Sequence, residues 1–234
     1  HIAHPGIPDS TRIFYVPTSA RTLQGSLSTG QTLLCAVTEL VEAQGAKSGA
    51  FTLNGGAFDS FSYVMPALSK TPEHAVYFSD TFFVEGQVRL ETAAVTYGVK
   101  EGRPWLHSHA VWIEPDGRRH CGHLLPDQIM VAAPISVRGI VLDAAAFTVC
   151  PDAETHFSLF MPLADGAYVP HSKTSTTEPQ TAYALRLAPN IDFCTALEDF
   201  CRAHEIENAT IFGGVGSTVG AVFQDGSTVE PFST

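Results

Sequence analysis

The chain is poor in positive charge: 13 Lys and Arg stand against 24 Asp and Glu in 234 residues, for a formal net charge of −11. Tight, sequence-independent binding to a phosphate backbone draws on clustered Lys and Arg, so this balance works against nucleic acid as a partner. No basic run is present, and the nearest thing to one, Arg118-Arg119, sits beside a turn signal where a solvated hairpin tip is the default reading. Cysteine is sparse as well. Cys35, Cys121, Cys150, Cys194 and Cys201 make an odd number with no C-x-x-C pair, which excludes a zinc ribbon, argues against a disulfide framework and fits a reducing cytosol. No apolar run approaches the roughly 18 residues of a membrane span, and no charged-then-apolar leader is visible, so a cytoplasmic location is expected. The chain begins at His1 rather than Met, which leaves room for an upstream segment.

What is there is a core. Hydrophobic residues make up 44% and charged residues 16%, a composition that folds rather than one that stays disordered. The length accommodates one large domain, or one ordinary domain with a smaller companion.

Leu33 to Gln44 places Leu33, Val37, Leu40 and Val41 on one helical stripe, with Thr29 and Gly30 as start signals and Gly45 as the stop. Ser48 to Leu53 then reads as a strand running into the turn Asn54-Gly55-Gly56. The same order returns later: a helix from Phe193 to His204, a strand from Asn208 to Phe212, then Gly213-Gly214-Val215-Gly216. The offset is a constant 160, taking Leu23 to Tyr183, Leu40 to Phe200 and Gly56 to Gly216, so the pattern reads as an internal duplication. The second copy reaches only as far as the first copy's His74: either it is a half-domain that completes its sheet with elements from another copy, or, as the unpaired edge of a half sheet favours, it continues in a longer native protein. Ala164 to Thr181, rich in Ser, Thr and Pro, reads as a linker. The organisation is therefore an N-terminal segment (1–20), a first domain (21–163), the linker (164–181) and a partial second copy (182–234). Ala75 to Val84, Val88 to Val99, Trp105 to Ile113 and Gly139 to Val149 alternate as strands, predicting an α+β fold of mainly antiparallel sheet flanked by helices. Gly213 to Gly216 lacks the G-x-G-x-x-G spacing and an ensuing helix, and reads as a tight turn between strands rather than a phosphate loop.

The chemistry concentrates in one strand pair. In Trp105 to Ile113 the period of two sends His107 and His109 to the same face, about 6.6 Å apart. Pro115-Asp116-Gly117 is a three-residue hairpin loop with Gly in the left-handed position, so Glu114 pairs with Arg118 and every cross-strand pair sums to 232. His109 then faces His123, and three imidazoles converge on one divalent transition metal, zinc being expected first although imidazole also suits copper, nickel and iron. A loop one residue shorter or longer would turn His123 to the other face. His120 points away from this trio, and His1, His4, His74, His156, His171 and His204 read as ordinary isolated histidines. Three nitrogen ligands form an open site that keeps a water or substrate position; Cys121, two residues from His123, would instead close it as a structural site.

These residues resemble a known family. Gly102-x-Pro104-x-x-His107-x-His109, Asp116-Gly117 and Gly122-His123-Leu124, within a span from Leu23 to Phe160, are similar to the signature of the plants and prokaryotes conserved (PPC) domain. Cys121 replaces a family glycine, and Arg89-Leu90-Glu91 only echoes a family run. The resemblance implies an antiparallel sheet flanked by helices, assembly as a homotrimer, and histidines near a subunit boundary. In plants the domain follows an AT-hook, of which only the core letters Gly102-Arg103-Pro104 occur here, in a turn without basic flanks.

Two functions follow as expectations. The first is a zinc-binding oligomer that takes a small anionic metabolite at the open metal position, with Arg89, Arg103 or Arg118 as carboxylate partner and Glu91 as general base; if catalytic, it is a zinc-dependent hydrolase or lyase. The second is a DNA-associated regulatory or oligomerisation module with a structural metal, which the acidic charge and the absent hook disfavour.

Overall fold

The structure, a computed structural model, describes residues 2–165 and 180–229. The expected linker lies almost wholly outside these residues, as do His1 and His171. Two helices accompany a thirteen-stranded sheet and two small hairpins, a mainly antiparallel α+β fold as the alternation predicts.

The first strand, β1 (Ile13–Leu27), leads into α1 (Leu33–Glu42) and then β2 (Gly49–Asn54). The helix starts at Leu33 as expected, and its N-cap is Thr32 rather than Thr29: the Thr32 side chain accepts the Cys35 backbone N–H at 3.2 Å. Leu33, Val37 and Val41 are fully buried against Leu23, Leu27, Phe51, Leu53 and Val95. Each such burial contributes about 1.5–3 kcal/mol, enough to hold an otherwise marginal ten-residue helix.

The chain continues through β3 (Ala57–Asp59), β4 (Phe61–Val64), β5 (Pro66–Leu68), β6 (Val76–Phe78) and β7 (Phe82–Val84). The strand expected over Ala75 to Val84 is thus two short ones: β6 turns back to pair with β5, while β7 pairs with β4. Then come the long strands β8 (Val88–Lys100) and β9 (Arg103–Ile113), followed by β10 (Arg119–Leu124), β11 (Met130–Ala133) and β12 (Ile135–Leu142). The principal sheet order ends at β7 on one side and runs inward through β4, β10, β9, β8, β2 and β12 to β1.

The single strand expected over Gly139 to Val149 also breaks, into β12 and β13 (Ala145–Pro151), which pairs with β14 (Ser158–Ala164). The cause is Asp143, whose buried carboxylate accepts from Ser19 Oγ at 2.8 Å and Arg21 Nε at 2.7 Å. Its backbone N–H donates to the Ser19 carbonyl, and Ala144 N–H donates to Thr18 Oγ1. These bonds turn the chain where the alternation of apolar residues carries straight on.

Beyond the undescribed stretch, β15 (Gln180–Leu187) pairs antiparallel with residues 13–20 of β1, and α2 (Phe193–Ala203) follows as expected. The boundary placed at residue 20 therefore falls inside β1, because that strand serves two partners, β15 and β12. The expected strand from Asn208 to Phe212 does not form. Its first-copy counterpart β2 is held between β12 and β8, and among the described residues the second copy has no equivalents for it to pair with. Only β16 (Ala221–Val222) and β17 (Thr228–Val229) close a small hairpin there. Among the described residues no helix is long and apolar enough to cross a membrane.

Candidate metal centre

The two faces of β9 divide the work. Leu106, Ser108, Ala110 and Trp112 are buried in the core, and the alternate residues His107 and His109 project from the opposite face. Pro115-Asp116-Gly117 closes the hairpin as its residues dictate: Gly117 has φ of 85°, and Glu114 N–H donates to the Arg118 carbonyl at 2.9 Å. The resulting register pairs Ile113 with Arg119, Trp112 with His120 and His109 with His123, the predicted sum of 232 at each step. His120 accordingly lies on the other face, stacked on Trp112.

The three imidazoles converge. His107 Nε2 and His109 Nε2 are 3.1 Å apart, and His123 Nδ1 is 3.3 Å from His109 Nε2. One ring nitrogen from each histidine lies within 4.8 Å of the others. Nitrogens bound at about 2.0–2.1 Å to a tetrahedral ion stand about 3.3–3.4 Å apart, so the donor set fits such an ion with little movement. Small neighbours make room for the rings, with Ala94 opposite His109 and Thr96 opposite His107 on β8. Burial lowers the pKa of all three, well below the usual value for His107 and to about 4 for His123, with proximity to the other imidazoles adding to the effect at both. Neutral imidazoles are the form that ligates metal.

Among the described residues the cluster has three members, and Cys121 does not join it: it is exposed and faces Val111 across the ladder. The other anticipated helpers stand away from the histidines. Glu91 lies where the β8 register shifts, and its Oε2 accepts from Arg119 Nε at 2.6 Å. Arg89 is exposed opposite Ile113, four residues or about 13 Å along the strand from His109. Arg118 is tied to Asp116 and Glu114 at the hairpin tip, and Arg103 is exposed at the start of β9. One neighbour went unread in the sequence: the half-exposed ring of Phe78 lies 5.2 Å from that of His123, brought there by the β5–β6 hairpin. A surface hollow of about 390 Å³ lined by Tyr63, Phe82, Glu114 and His120 belongs to the His120 side and does not involve the trio.

The profile of the Plants and Prokaryotes Conserved (PCC) domain matches residues 16–139 and 174–233. The chain belongs to the plants and prokaryotes conserved domain family. The two matched segments fit one full copy and one partial copy. A member of this family from Pyrococcus horikoshii superposes with a TM-score of 0.50 at 15% identity, covering 63% of this chain and 96% of its own, which establishes the shared fold. A metal-containing protein from Archaeoglobus fulgidus is similar at a TM-score of 0.46 and 18% identity, over 60% of this chain and 93% of its own. A search of curated proteins found no match.

Proposed function

We propose that the chain is a zinc protein whose His107, His109 and His123 hold the ion with at least one coordination position open, and that a small anionic ligand binds there. The observation that carries this reading is the convergence of three half-buried ring nitrogens, whose pKa values burial lowers toward the neutral form, with no fourth protein donor in the cluster among the described residues. Zinc bound in this way supplies a Lewis acid and a water that ionises near neutral pH, the chemistry of a hydrolase or a lyase. Each histidine contributes one neutral donor, and the sheet fixes the three in place before any metal arrives, which lowers the cost of ordering them.

Assembly as a homotrimer is part of the same proposal. The sheet ends at β7, whose Phe82 and Phe83 are exposed, and Leu68, Tyr77 and Phe78 lie exposed on the neighbouring hairpin. An open edge flanked by apolar side chains is a surface that another copy of the chain would cover.

Substitution with cobalt(II) tests the open position. The reading expects a tetrahedral visible spectrum that shifts on addition of acetate or another small carboxylate. A cobalt spectrum indifferent to every anion would mean a closed, structural site, and failure to take up cobalt would remove the site altogether.

A further inference from the structure

The glycine-rich run of the second copy does not form the expected turn between paired strands, yet it is seated against the first copy. A Cβ built on Gly213 would lie 2.9 Å from Ala50 Cβ and 2.9 Å from the Val95 carbonyl oxygen. Contacts that close are not made by real side chains, so the backbone itself lies on the sheet here. Gly213 and the following Gly214 have φ of 62° and 101°, a conformation that other residues adopt only with strain.

The register identifies which face is covered. Ala50 pairs with Thr96, and Thr96 pairs with His107, so the three side chains form one row on one face of β2, β8 and β9. At about 4.8 Å per strand, the seat at Ala50 is two strands, or about 10 Å, from the His107 backbone. The segment therefore touches the histidine-bearing face at Gly213, on the flank away from Phe78. The offset of 160 sharpens the contrast, because Gly213 corresponds to Leu53, a fully buried leucine in the first copy's β2. Where the first copy has a strand residue filling a core, the second has a glycine that lets bare backbone lie flat on its partner.

We infer that the second copy's glycine segment at Gly213, seated on Ala50, walls the histidine cluster on its β2 side and restricts what reaches His107. This rests on the proposed metal site only for its biological purpose; the wall is a property of the fold and is testable without metal. Gly213 is a positioning residue here, acting through the placement of backbone and touching no reacting atom.

The test is the rate of modification of individual histidines by diethylpyrocarbonate in the full chain, stripped of metal and read by peptide mass spectrometry. Two variants lift the segment by different routes: Gly213→Val adds a side chain to the segment, and Ala50→Val raises its seat without altering the glycines. His120, on the same strand pair but the opposite face, serves as internal control. Both variants are expected to speed modification of His107, Gly213→Val by about fivefold or more, the population change that left-handed strain at one residue brings, and Ala50→Val through its clash with the seated backbone, with His120 unchanged. An unchanged rate at His107, or a rise shared equally by His120, would overturn the wall. Zinc content measured on the untreated wild type reports separately on the metal reading, so that either can fail without the other.

Discussion

His109 and His123 face each other directly across the β9–β10 ladder, with His109 Nε2 3.3 Å from His123 Nδ1. That relationship is set by a three-residue loop and not by any contact between the histidines, so the loop length controls the site. Insertion of one glycine between Asp116 and Gly117 moves His123 to the opposite face together with every other β10 side chain. The expected outcome is loss of bound metal with a lowered melting temperature, since the buried Leu124 moves with it; metal analysis and thermal unfolding of the insertion variant check this.

Acid should weaken the metal-free protein. Burial holds the three histidines below their usual pKa, His123 at about 4, while in the unfolded chain each titrates near 6.5. Between about 4 and 6.5 the unfolded state binds more protons, so stability is fully present above about pH 6.5 and is lost as the pH falls toward 4. Urea unfolding of chelator-treated protein at pH 7.5 and 5.0 should show a lower midpoint at pH 5.0. The difference should shrink in His107→Ala/His123→Ala.

The Asp143 carboxylate is buried and paired with Arg21 at 2.7 Å, at the bend that separates β12 from β13. Asp143→Ala strands the guanidinium and the Ser19 hydroxyl, at a cost of about 3–5 kcal/mol. Arg118→Ala, which removes only exposed, solvent-screened pairs at the hairpin tip, should destabilise far less. Chemical denaturation of the two variants compares them directly.

Glu91 is engaged by the exposed Arg119. Glu91→Gln is therefore expected to leave the metal stoichiometry at the wild-type value, whatever it does to turnover; zinc content of the purified variant is the check.

Local chemistry made much of this legible. The apolar stripe of α1, the Pro-Asp-Gly loop and the alternation along β9 each act over a few residues, and together they placed His107, His109 and His123 on one face. What was hidden depends on partners distant in sequence. Asp143 bends the chain because Ser19 and Arg21 lie on β1, and no turn-forming dipeptide announces it. Asn208 to Phe212 carries a strand's composition but among the described residues has no neighbouring strand to complete its hydrogen bonds. Phe78 reaches His123 only because β6 folds back on β5. The pairing of β15 with β1 likewise joins segments more than 150 residues apart.

Elemental analysis of protein purified without chelators or a histidine tag tests the central claim most directly, with wild type beside His107→Ala/His109→Ala. One equivalent of zinc per chain in the wild type and none in the variant is the predicted result. Wild-type protein that carries no metal, or a variant that keeps it, would contradict the three-histidine site.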